Sequence, residues 1–192
     1  MNRARIGIGG IVVGLALACA LSADARQEGT TYQAFPSPAQ EPGPPSGSNV
    51  SARATLSFDS YLTRARLDFR LLNLDPALIT GFHIHCGLPG QLGPMIVDFG
   101  RYGDFTETFR NGRFSVDVTN DDIVVASWPP SGSLPEGCAS NVIQPGQSNT
   151  LAGLEALARQ GQLYFNLHTG SGQDETYFFG LIRGQVYPSE GR

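Results

Sequence analysis

The sequence predicts an all-β fold: an antiparallel, Greek-key-like β-sandwich of two sheets with one short helix. Three observations predict it. Apolar and polar residues alternate with period two over several short runs. Gly, Pro, Asn and Asp separate those runs at regular intervals, and a single segment carries the period of an amphipathic helix.

The 192-residue chain opens on a segment of export character. Arg3 and Arg5 form a positive start, Ile6 to Leu21 is nearly all apolar, and Ala23-Asp24-Ala25 is a small-x-small site with the cut after Ala25. Residues 1–25 therefore read as a signal peptide. The apolar run, about 16 residues, is short against the roughly 20 of a membrane span. Two rival readings are a retained signal anchor and a lipid anchor at Cys19, since Ala16-Leu17-Ala18-Cys19 faintly resembles a lipobox. The expected location is secreted, periplasmic or cell-surface, with no transmembrane span in the mature chain.

Residues 26–49 read as a disordered linker. Pro36, Pro38, Pro42, Pro44 and Pro45 fall among Gly, Ser, Gln and Glu, with only Tyr32 and Phe35 as large apolar groups. The folded domain is expected over 50–188, long enough for one sizeable core. Every basic residue is Arg, and the net charge is −4. No basic cluster stands out, which argues against nucleic acid and an anionic membrane and disfavours polyanion binding. The partner expected is an envelope or extracellular one of unknown identity.

Within the domain, Val50 to Phe58 and Tyr61 to Leu71 alternate cleanly and read as a hairpin or meander across Asp59-Ser60, with Arg64, Arg66 and Arg70 on a solvated face. Asp75-Pro76 is a turn signal. Thr80 to Cys86 is a strand, Gly87 to Pro94 a Gly/Pro loop, and Met95 to Phe99 a further strand. Phe114, Val116 and Val118 alternate with polar neighbours, Asp121-Asp122 suits a capped turn, and Ile123 to Ser127 reads as strand. Trp128 to Gly146 is irregular. Asn149 or Thr150 can cap a helix whose stripe is Leu151, Leu154, Leu157 and Ala158 and which Gly161 stops. The last strands are Gln162 to Thr169 and Thr176 to Val186, joined by a polar loop.

Once the signal is removed, Cys86 and Cys138 are left as an even pair. In an oxidising compartment a disulfide between them is expected, closing a loop of about 50 residues and worth roughly 4 kcal/mol. The alternative is Cys86 as a thiolate ligand. Its side chain should face away from both neighbouring histidines.

The chemistry concentrates in Gly81-Phe82-His83-Ile84-His85-Cys86, which holds two of the three histidines. Spacing i, i+2 on a strand points both imidazoles to one face. His168 ends the second strand that carries an imidazole. Three imidazoles on neighbouring strands can bind a d-block ion, copper first and zinc second; alternatively they hold strands in register through hydrogen bonds. Arg183, between Ile182 and Gly184, could project from the sandwich and bind a substrate, or be structural, as an ion pair or a fork of hydrogen bonds to loop carbonyls.

These motifs resemble the CHRD (chordin-type) domain. The matching stretches are Phe82-His83-Ile84-His85 before the Gly/Pro loop, Gly93-Pro94-Met95-Ile96-Val97, Leu163 to Thr169 with its Tyr-x-Asn-x-His-Thr pattern, and Gly180 to Val186. Cys86, the Cys138-bearing loop and Phe179-Gly180-Leu181 depart from the pattern. The resemblance implies a secreted β-sandwich. Gly81 to His85 also looks like the G-F-H-V-H strand of copper/zinc superoxide dismutase, and on that mapping His83, His85 and His168 fall on three copper ligands. No histidine is left for the bridge or the zinc, and Arg183 does not align with that enzyme's arginine. The function expected is therefore an exported, non-enzymatic binding or structural module of the cell envelope. The alternative is a mononuclear copper or zinc protein, with dismutase-like activity doubtful.

Overall fold

Nine strands form two antiparallel sheets in this computed structural model, which describes residues 29–44, 46–124, 150–172 and 174–189. The signal segment, Cys19, Trp128 and Cys138 lie outside the described residues. The strands are β1 (Thr31–Ala34), β2 (Ser51–Phe58), β3 (Ala65–Leu72), β4 (Ile79–Cys86), β5 (Met95–Asp98), β6 (Arg113–Val118), β7 (Leu163–Thr169), β8 (Ile182–Gln185) and β9 (Tyr187–Pro188). One sheet runs β6-β3-β2-β1-β9 and the other β5-β4-β7-β8. The all-β sandwich expected from period-two alternation is what the chain forms.

The alternation sorts each strand between core and water. In β3, Ala65, Leu67, Phe69 and Leu71 are buried while Arg66, Asp68 and Arg70 are exposed. Phe82 of β4 sits in an aromatic cluster, its ring centroid 4.5 Å from Phe69, 4.6 Å from Phe99 and 5.5 Å from Phe114. That anchoring fixes the phase of β4. With Phe82, Ile84 and Cys86 facing the core, His83 and His85 must face outward.

Helix α2 (Leu151–Arg159) has Thr150 as its cap, the hydroxyl accepting from the Gly153 amide at 3.4 Å. Two one-turn helices accompany it, α1 (Phe105–Thr108) and α3 (Glu175–Phe178). The start of the expected last strand is therefore helical: Asp174 precedes α3, and Gly180 at φ +110° turns the chain into β8. Of the strand expected from Ile123, only Ile123 itself is in a bridge, to Val97, and residues 125–149 are outside the description.

The linker expectation is overturned. Thr31–Ala34 is a strand paired on both sides, with β2 and with β9, and Tyr32 is fully buried. The Pro-rich stretch then packs on the other sheet: Ser37 bridges Arg183, and the Gln40 side chain accepts from the Gln185 amide at 3.0 Å. Pro content concealed this because prolines bar regular ladders but not edge bridges and turns. The Tyr32 hydroxyl donates to Glu155 Oε1 of α2 at 2.5 Å, which ties the strand to the helix. Tyr32→Phe leaves that buried carboxylate short of a donor, and urea titration should show a loss of about 1–3 kcal/mol.

Register also builds what the sequence hid. Arg53 lies opposite Arg70, and Arg70 opposite Arg113, on the exposed face of the five-stranded sheet. A basic row therefore exists, although no basic run is visible along the chain.

Candidate metal centre

The outer face of the four-stranded sheet presents Gly81, His83 and His85 from β4, Tyr164, Asn166 and His168 from β7, and Arg183 and Gln185 from β8. Pairing sets Gly81 against His168, His83 against Asn166 and His85 against Tyr164, and continues to Arg183 and Gln185. Most of this face is polar yet buried, because the 87–94 loop and the 36–44 segment lie over it. Arg183 donates to the Gln91 and Leu88 carbonyls at 2.7 and 2.8 Å and lies 3.4 Å from the Tyr164 ring centroid. Gln185 Nε2 donates to the Gly87 and Gly161 carbonyls. Arg183 is thus buried, at 1% exposure, and does not project.

The three histidines come together. A nitrogen from each lies within 4.8 Å of the others. Nitrogens about 2.0–2.1 Å from a single ion stand roughly 3.3–4.2 Å apart, so modest ring rotations would close the set. The other contacts settle the tautomers. His85 Nδ1 meets the Gly93 carbonyl at 2.9 Å and His168 Nδ1 the Tyr177 carbonyl at 2.8 Å. A carbonyl only accepts, so each Nδ1 carries the proton and each Nε2 has a bare lone pair. His83 turns Nε2 toward Asp98 Oδ1 at 3.7 Å. His83 Nδ1, His85 Nε2 and His168 Nε2 are buried without a hydrogen-bond partner. Backbone or carboxylate oxygens behind each ring are the outer support that metal-binding imidazoles use.

Burial keeps the rings neutral. It lowers His85 to about 3 and His168 to about 4, in both cases with a smaller contribution from neighbouring histidines. It lowers His83 as well, with Asp98 opposing. His85 stacks on Tyr164 at 5.1 Å and 11°, so the ring that faces the cluster on one side is held by an aromatic wall on the other. Three imidazole nitrogens this close are a set that could hold one d-block ion. Cys86 faces the core, away from this cluster, as strand alternation predicts.

Sequence reasoning reached the three histidines but not Tyr164, Asn166, Gln185, Asp98 or Glu41. The first three had a signal: they stand at i−2 or i−4 from His168 and i+2 from Arg183, on the same strand faces. Glu41 had none. It accepts from Asn166 Nδ2 at 2.7 Å, burial pushes it up to about 8, and its Oε2 is buried without a partner. Beside it lies a cavity of about 300 Å³ lined by Glu41, Gly43, Asp174, Glu175, Phe179 and Gly180, and not by the histidines.

Gly81 leaves room for two of the rings. A Cβ there would lie 2.9 Å from His83 Cε1 and 3.4 Å from His168 Cδ2. Gly81→Ala should leave the sandwich folded by circular dichroism but displace His83, and should weaken about tenfold or more any Cu(II) uptake that the three rings support.

The family model of the CHRD domain matches residues 32–186 of the chain. Comparison with curated proteins and with solved structures gives no match. Among the described residues, no helix is long and apolar enough to cross a membrane.

Proposed function

This chain belongs to the CHRD domain family, and from that premise we propose that it is an exported, non-enzymatic module of the cell envelope that holds one metal ion, copper ahead of zinc. His83, His85 and His168 are its ligands. The observation that carries this reading is the convergence of three imidazoles, a nitrogen of each within 4.8 Å of the others, in which every ring keeps one buried nitrogen without a hydrogen-bond partner. Each unpartnered buried acceptor costs about 1–3 kcal/mol, a cost that a shared cation removes. All-nitrogen ligation suits copper and zinc, and divalent copper stands above zinc in intrinsic affinity. Bound there, the ion would supply a Lewis-acidic or one-electron centre; the chain's part is to fix the rings and cover them with the 87–94 loop. Dismutase chemistry finds little support, since the chain's only three histidines are used and Arg183 is committed to loop carbonyls.

Titration of the chain beginning at Gln27 with Cu(II) or Zn(II) tests the reading. One equivalent should bind, with melting temperature raised by an amount equivalent to about 2.7 kcal/mol at a hundredfold excess over Kd. His85→Ala should abolish stoichiometric uptake. Absence of uptake by the wild-type chain would leave only a structural histidine cluster.

The reading includes a Cys86–Cys138 disulfide, supported by the even cysteine count after export and the complete burial of Cys86. In denaturant, the chain from Gln27 should take up iodoacetamide only after reduction, and then twice per molecule.

A further inference from the structure

The second feature that points to a ligand is on the opposite sheet from the histidines. Register places Arg53, Arg70 and Arg113 directly across from one another on β2, β3 and β6. Asn111 and Gly112, at φ +52° and +70°, make the tight turn that bridges Arg110 to Arg113. Four exposed guanidinium side chains therefore follow one line across the sheet. Directly opposed Cβ atoms stand about 4.5–5.5 Å apart, and like charges so placed repel.

The neighbouring arginines are treated differently. Arg66 contacts Asp117 at 3.2 Å and Asp68 at 4.0 Å, and Arg64 contacts Asp117 at 3.7 Å. Arg53, Arg70, Arg110 and Arg113 have no ion pair among the described residues. Arg110 Nε donates to the Glu107 carbonyl at 3.4 Å, but among the described residues no carboxylate neutralises the row. Phe35, 52% exposed, lies at its end with the Arg53 guanidinium 5.1 Å from the ring centroid.

We propose that the row is a binding track for a linear polyanion, an acidic polysaccharide whose carboxylates pair with the guanidinium forks and whose sugar ring rests on Phe35. Guanidinium matches carboxylate in two-point geometry. The adjoining row on β2, β3 and β6 carries Thr55, Asp68 and Ser115, and the row beyond pairs Arg66 with Asp117, so the unpaired positive charge is confined to one line. A single extended chain matches a line of charge better than the broad anionic plane of a bilayer does. The chain's overall charge of −4 opposes general attraction of a polyanion, and screening of exposed guanidinium–carboxylate pairs makes binding along this line salt-dependent.

Fluorescence anisotropy with a labelled oligogalacturonate, on the chain beginning at Gln27, tests the assignment. Binding at low salt is expected, weakening steadily as salt rises. A variant with R53Q, R70Q and R113Q together should bind at least about tenfold more weakly, with a melting temperature no lower than wild type because repulsion is relieved. R70E alone should give the same direction of change, and R64Q should leave binding intact. No binding by wild type, or equal binding by the triple variant, would overturn the proposal. Binding to phosphatidylglycerol vesicles without binding to oligogalacturonate would overturn it in favour of a membrane surface.

Discussion

Arg183→Ala should destabilise the domain by about 3–5 kcal/mol, read as a lower urea midpoint with an unchanged slope. The side chain is 1% exposed and satisfies two loop carbonyls and Gln185 Oε1 while lying on Tyr164. Truncation removes the donor to the Gln91 carbonyl and to Gln185 Oε1, leaves the Leu88 carbonyl with the Gln91 amide alone, and opens a void beneath the loop. Arg183→Lys should rescue little, because an ammonium group cannot reach Gln91 and Leu88 together or stack on the ring. The effect should extend to the histidines. The clamped loop carries the Gly93 carbonyl that orients His85, and the Gly93 amide donates to the Tyr164 hydroxyl at 3.1 Å. Cu(II) affinity should therefore fall about 10- to 100-fold in Arg183→Lys, even under conditions where that variant stays folded.

The metal-free chain should be most stable near pH 6.5 and lose several kcal/mol by pH 4. Folded His85 and His168 titrate at about 3 and 4, against 6.5 as the reference for an exposed imidazole. Between those values the unfolded chain binds more protons, so stability is complete above about pH 6.5 and is lost as pH falls toward 4 and then 3. Every tenfold weakening of proton binding on folding corresponds to about 1.36 kcal/mol. Glu41 acts with the opposite sign. Folded, it holds its proton to about pH 8, against a reference of 4.5, so its contribution is lost as pH rises from about 4.5 through 8. Below pH 6.5 the two strongly lowered histidines outweigh the single carboxyl; above it the carboxyl acts alone. Urea midpoints at pH 4.5, 6.5 and 8.5 in a chelator check both limbs. A flat profile from 6.5 to 4.5 would contradict buried neutral imidazoles, and Glu41→Gln should flatten the alkaline limb only. A bound ion should be released over the same acid range, since coordination requires the unprotonated ring.

Much of the sandwich was legible because a strand's side chains alternate strictly, and β2, β3 and β6 each wear one apolar and one polar face. The phase of β4 could be read from Phe82, Ile84 and Cys86, and with it the shared direction of His83 and His85. The α2 cap and stripe were legible for the same local reason. The segment 31–44 was not, because its order comes from partners far along the chain: β2, β9, Arg183 and Gln185. Composition measures what a segment can bury by itself, not what another sheet edge offers it.

By itself, then, the sequence determined the all-β class, the outward face of the histidine strand and the candidate ligands His83, His85 and His168. Local rules, period two and turn chemistry, decide those. Only the tertiary structure decided that His168 sits opposite Gly81, that Arg183 is a buried clamp and that four arginines form a line. Each depends on strand register, which is set by packing between residues distant in sequence and leaves no periodic trace along the chain.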